Sequence, residues 1–171
     1  AMLQAKGCNA LGFSGADGNM IPAVKRNPEP LDYGFVGDIE ASKINKELLA
    51  TLLNSGITPI FCAITHDGNG SLLNSNADSV ASAVAMGLAH KYEVELVFTM
   101  DKAGVLLDVE DESSLIPTIT PQLYKELRDE EKIHSGMIPK IDNAYKTIDA
   151  GVEKVRITSP DNLTGGTVVV K

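Results

Sequence analysis

Tryptophan is absent from this chain, and aromatic residues make up only 5% of it. With so few rings, Ile, Leu, Val and Ala must fill the core. At 43% hydrophobic over 171 residues the chain can bury a real one, and the length favours one domain or little more. Net positive charge is missing too, the formal value being -8. That argues against general nucleic-acid or membrane-surface binding, which both want a basic footprint. An acidic chain that binds an anion must do so with local lysines, backbone N–H groups and a divalent cation. Cysteine is scarce: Cys8 and Cys62 lie in apolar, strand-like surroundings. They read as two reduced core thiols of a cytoplasmic protein rather than as a disulfide or metal pair. His66, His90 and His134 have no ligand spacing, so no metal site is predicted. No apolar run approaches the roughly 18 residues that a membrane span needs, and no signal peptide is visible.

What is present alternates short apolar runs with amphipathic helices, which predicts an α/β fold with a largely parallel sheet. Ala1 before Met2 looks like a tag remnant. Ala1–Lys6 reads as the last turns of a helix stopped by Gly7. A strand at Asn9–Phe13 leads into the turn Gly15-Ala16-Asp17-Gly18-Asn19. Met20–Val24 and Asp32–Asp38 form a hairpin arm. Ser42–Asn54 is a helix capped by Ser42 and ended by Gly56. Thr58–Ile64 is a buried strand, and His66–Gly70 a tight turn whose Asp-Gly-Asn-Gly lacks the spacing of a calcium loop. Asn76–Leu88 is a helix with Ala77, Val80, Ala81, Val84 and Leu88 inward. Val94–Met100 is apolar almost throughout, as expected at the centre of a parallel sheet. Thr120 and Pro121 start another helix. Met137–Ala150 is a helix stopped by Gly151, and Lys154–Ile157 and Thr167–Val170 are closing strands.

Three places carry candidate chemistry. In Asn74-Ser75-Asn76-Ala77-Asp78 two amides at alternate positions can point the same way from an extended segment. Such amides can contact a small acyl-amino-acid, and Asp78 falls in a first helical turn, where the helix dipole favours a carboxylate. A plain capped helix start explains the same residues. Lys140, in Gly136-Met137-Ile138-Pro139-Lys140, opposes the dipole of its helix. It becomes favourable if an anion binds there with backbone N–H groups, and otherwise it is a solvated surface lysine. Asp101-Lys102-Ala103-Gly104-Val105-Leu106 follows a strand C-terminus, where ligands bind in open α/β sheets. It also fits an ordinary turn. Neither a P-loop nor a GxGxxG motif occurs.

At these residues the chain resembles the acetylglutamate kinases of the amino acid kinase family. The resemblance runs through Ala10–Asn19, Gly34–Asp38, Asn54–Ile60, Asn74–Asp78, Asp101–Leu106, Gly136–Lys140 and Gly166-Thr167. It implies a three-layer α/β/α sandwich with a mostly parallel open sheet plus the hairpin arm. It implies one domain, with residues 1–72 the remainder of a substrate-binding half and 73–171 a nucleotide-binding half. The implied activity is transfer of the γ-phosphoryl group of ATP to the side-chain carboxylate of an N-acylated glutamate, in arginine biosynthesis. Lys140 would stabilise charge on the transferring group and Asp78 would orient the catalytic lysines. Asn74 and Asn76 would contact the substrate. Asp101, Lys102, Ala103, Gly104, Val105 and Leu106, with Lys132, Ile133 and His134, would line the nucleotide site. Mg2+ would be held mainly through the phosphates. No nucleic-acid or membrane partner is expected, and a homo-oligomer, a dimer, is.

The family's first third carries a glycine-rich strand-loop with a second catalytic lysine, and glycines and an arginine that hold substrate. These have no counterpart here, so the chain reads as the C-terminal two thirds of a kinase. Weak or absent turnover by this polypeptide alone is expected, with nucleotide binding surviving. Two other readings stay open: an amino acid kinase acting on N-succinylglutamate, glutamate or aspartate, and a nucleotide- or amino-acid-binding module without catalysis.

Overall fold

Strands and helices alternate as the apolar pattern predicts, in a computed structural model that describes residues 1–134 and 136–171. The chain divides into two units, Ala1–Leu88 and Ala89–Lys171. The first holds α1 (Met2–Ala5), β1 (Ala10–Phe13), β2 (Ala23–Lys25), β3 (Gly37–Ile39), α2 (Lys46–Asn54), β4 (Thr58–Phe61), β5 (Ile64–His66), β6 (Leu72–Asn74) and α3 (Ala77–Leu88). The division falls after α3 because that helix packs on α2, β3 and the turn before α2.

β1 and β4 pair in parallel, and the rings of Phe13 and Phe61 meet at 5.8 Å between centroids. β2 and β3 form the expected arm, closed by a bidentate Arg26–Asp38 pair. The arm is shorter than the sequence suggests. Met20 and Ile21, expected in its first strand, are fully buried and form a core with Ile44, Leu49, Val80 and Ala83.

Three expectations change in this unit. The helix starts at Lys46, not at Ser42, because Asn45 makes the better cap. Its side chain accepts from Leu48 N at 3.2 Å and donates to the Gly18 carbonyl at 3.0 Å, while residues 41–43 form a separate 3-10 turn. The segment 58–64 is not one buried strand. It breaks at Cys62 and Ala63 into β4, which pairs with β1, and β5, which pairs antiparallel with β6. That break leaves Cys62 exposed rather than in the core. Finally, Val80 is buried as expected, but Ala77 is exposed and Ala81 and Val84 are only half-buried. These four, with Phe61 and Cys62, line an apolar cleft of about 250 Å³.

The second unit holds β7 (Glu95–Thr99), β8 (Thr118–Ile119), α4 (Pro121–Asp129), α5 (Ile138–Asp149), β9 (Lys154–Thr158) and β10 (Thr167–Val169). Its four-stranded sheet runs β7-β9-β10-β8. β7 is parallel to β9 and β10 to β8, while β9 and β10 are antiparallel. β7 is therefore at the edge of this sheet, not at its centre as its apolar run suggests. Its alternate residues Glu95 and Thr99 are exposed, and Glu95 receives a bond from Arg156 Nε at 2.8 Å. Thr120 caps α4 as expected, accepting from Leu123 N at 3.3 Å with Pro121 in the first turn. α5 buries Ile141, Ala144, Thr147 and Ile148 against β9 and β10.

Candidate active site

The site residues of the first unit gather where β6 turns into α3. Ser75 is the buried pivot. Its hydroxyl donates to the Gly37 carbonyl at 2.9 Å and shares a hydrogen bond of 2.9 Å with Thr65 Oγ1. A glycine is needed at position 37, since a Cβ there would lie 2.9 Å from both Thr65 Oγ1 and Leu73 Cβ. With Ser75 turned inward, the extended backbone leaves Asn74 and Asn76 exposed on either side of it. The alternation read from the sequence is present. Asn76 has a structural task as well: its Oδ1 accepts from Ser79 N at 3.1 Å and caps α3. That engages its oxygen and leaves the amide N–H groups as donors for a ligand. Asp78 is half-buried in the first turn of α3, where the helix dipole stabilises its charge.

In the second unit, Lys140 lies in the first turn of α5, half-buried, with its ammonium 5.5 Å from the centre of the Phe98 ring. Phe98 is near the C-terminal end of β7, which runs out into Asp101. The ring face attracts the cation and holds it beside that strand end. The loop 101–106 is folded back firmly. Val105 N donates to Thr167 Oγ1 at 2.8 Å, and that hydroxyl donates to the Ile116 carbonyl at 2.6 Å. Gly104, Val105 and Leu106 are buried, Lys102 and Ala103 half-buried, and Asp101 exposed. Lys102 Nζ donates to the Val109 carbonyl at 2.9 Å.

Lys132, Ile133 and His134 connect α4 to α5. Ile133 is buried, and Lys132 pairs with Glu130 at 2.7 Å, which raises the pKa of its ammonium. His134 Nδ1 accepts from Gly136 N at 3.2 Å. The two sets of residues therefore belong to different units: Asn74, Asn76 and Asp78 to the first, and Lys140 with 101–106 and 132–134 to the second.

A segment that the sequence did not single out joins the second set. Thr99 and Thr158 are register partners at the parallel ends of β7 and β9. The loop after β9 therefore leaves the sheet beside the loop 101–106. It is held by Asn162, whose carbonyl accepts from Thr158 Oγ1 at 2.7 Å and whose Oδ1 accepts from Gly165 N at 3.0 Å. The only local signal was the run Ser159-Pro160-Asp161-Asn162 after an apolar strand. Which strand end it adjoins depends on pairing across the sheet.

Among the described residues no group of three or more His, Cys, Asp or Glu side chains converges as a metal site. Among the described residues no helix is long and apolar enough to cross a membrane.

The family model described as the amino acid kinase family matches residues 1–159. The acetylglutamate kinase of Phocaeicola vulgatus is 50% identical over all of this chain, which covers 66% of that protein. That of Parabacteroides distasonis is 46% identical over 97% of this chain and 64% of its own length. The more distant acetylglutamate kinase of Methanopyrus kandleri is 35% identical over 97% of this chain and 67% of its own length. The chain thus spans about two thirds of the length of the curated relatives it matches. Among solved structures, smu.665 from Streptococcus mutans UA159 superposes with a TM-score of 0.80 at 32% identity, over 99% of this chain and 64% of that one. Giardia carbamate kinase, at 14% identity and a TM-score of 0.66 over 99% of this chain and 66% of its own, shares the fold. The family model over residues 1–159 and relatives 35–50% identical along nearly the whole sequence place this chain in the amino acid kinase family.

Proposed function

We propose that this chain is part of an ATP-dependent kinase that moves the γ-phosphoryl group onto the side-chain carboxylate of an N-acylated glutamate, as in arginine biosynthesis. One observation carries the reading: Lys140 stands in the first turn of α5 with its ammonium beside the end of β7, in a chain 50% identical to an acetylglutamate kinase. A cation there opposes the helix dipole, and an anion bound at the same helix end offsets that cost. That arrangement suits phosphoryl transfer, which relies on positioning and charge neutralisation.

In this reading Lys140 offsets charge on the migrating group. Asp78 orients the catalytic lysines, and Asn74 and Asn76 hold the acyl-amino-acid. Asp101, Lys102, Ala103, Gly104, Val105 and Leu106, with Lys132, Ile133 and His134, line the nucleotide site. Mg2+, when bound, would neutralise phosphate charge and would be held mainly by the phosphates. The reading includes a cytoplasmic homodimer, supported by the exposed apolar side chains of Met2, Leu11 and Ile60 around the β1–β4 pair.

The test is phosphoryl transfer from ATP to N-acetylglutamate, N-succinylglutamate, glutamate and aspartate, with the acyl phosphate trapped by hydroxylamine. Calorimetric titration of ATP and ADP into the chain and into Lys140→Ala accompanies it. Transfer to an N-acylglutamate and a selective loss of ATP affinity in Lys140→Ala support the reading. Preference for glutamate or aspartate overturns the substrate. ATP binding without transfer in any longer polypeptide favours a binding module.

A further inference from the structure

The start of α5 carries a negative charge close to the positive one. Asp142 stands two residues after Lys140. Successive helical residues turn by about 100°, so the two side chains leave opposite faces and cannot pair. The carboxylate's field still reaches the helix end where an anion would arrive, and it repels a phosphate there. That carboxylate is restrained from the neighbouring helix. Tyr124 Oη donates to Asp142 Oδ1 at 2.6 Å, and Arg128 Nη1 lies 3.7 Å from the same oxygen. The Arg128 guanidinium also covers the Tyr124 ring, 5.6 Å from its centre. Tyr124 is 7% exposed and Asp142 half-buried. Two residues of α4 thus converge on the one carboxylate in the first two turns of α5.

We propose that Tyr124 and Arg128 are positioning residues for the Lys140 phosphate site: they hold the Asp142 carboxylate to the α4 side of α5 and offset its charge, keeping the positive end of the helix open to a polyphosphate. The proposal rests on the reading of Lys140 as a γ-phosphate cation. It explains why a carboxylate is tolerated so near that lysine, and it gives Arg128 a task beyond a surface ion pair.

The test is calorimetric binding of ATP and ADP to the chain at low and high salt, with thermal melting of every variant. Tyr124→Phe is expected to weaken ATP about five-fold at low salt, the upper range for a half-exposed charge. ADP should change little, and high salt should shrink the difference. Adding Asp142→Asn to Tyr124→Phe should restore ATP affinity. Asp142→Asn alone should tighten ATP, a sign that loss of stability cannot produce. Arg128→Gln, an exposed position, should weaken ATP in the same selective way without lowering the melting temperature. Equal losses for ATP and ADP, or no restoration by Asp142→Asn, would reduce Tyr124 to a packing residue and overturn the proposal. If Lys140→Ala lowers ATP relative to ADP and Tyr124→Phe does not, this proposal alone falls. If Lys140→Ala leaves the two nucleotides unaffected, the γ-phosphate reading falls first.

Discussion

Gly104 shows how much one residue can decide. A Cβ at this position would lie 2.7 Å from Leu115 Cδ1 and from Thr167 Oγ1. The loop 101–106 can fold back on Thr167 only without it. Gly104→Ala should cost about 1–3 kcal/mol in chemical denaturation and weaken ATP binding, because it displaces the loop proposed to line the nucleotide site. The sequence places this loop at a strand end where ligands bind in open α/β sheets. The closest approach is to the protein's own Thr167, a partner 63 positions away that no local pattern names. Tyr124 supplies a pH test. Its phenol is pushed up from its ordinary value near 10 to about 12, first by burial and then by its bond to Asp142. Burial also takes Tyr145 to about 12. The folded state keeps these protons where the unfolded chain loses them. Their contribution to stability is therefore complete below about pH 10 and is lost as the pH rises toward 12. Denaturation midpoints should fall across that window, and Tyr124→Phe should flatten the fall.

Elements were legible where punctuation was strong. Thr120-Pro121 and Gly151 mark their helix ends correctly because a cap, a fixed φ and a left-handed residue act locally. The start of α2 was misplaced because Ser42 and Asn45 are both good caps, and tertiary bonds chose between them. Asn45 also ties to Gly18 and, through its own N–H, to the Met20 carbonyl at 3.0 Å. Asn45→Ala should cost about 1 kcal/mol by urea unfolding, whereas Ser42→Ala should stay within about 0.5 kcal/mol. Equal effects would return the cap to Ser42. The break of 58–64 into β4 and β5 was hidden for a similar reason. Nothing in Phe61-Cys62-Ala63-Ile64 signals a stop, and the strand ends only because its two parts pair with different partners.

At the scale of the molecule, the proposed phosphate site rests on Lys140 at the start of α5, and the resemblance expects a second lysine in a glycine-rich loop. The polypeptide as it stands should bind ATP and release ADP slowly or not at all in a coupled assay with N-acetylglutamate. Rapid turnover would show that Lys140 needs no second lysine. Composition, periodicity and short motifs were enough to determine the α/β class and most helices and to single out residues 74–78, 101–106 and Lys140 as candidates, because caps, dipoles and alternation act within a few residues; Lys132, Ile133 and His134 came only with the family resemblance. Only the tertiary structure decided that β7 is an edge strand, that Thr158 and its loop adjoin Asp101, that Cys62 is exposed, and that the units divide after Leu88. Those outcomes depend on which strands pair and what each face packs against. These are contacts between residues far apart in sequence, whose energies appear only once the chain has closed on itself.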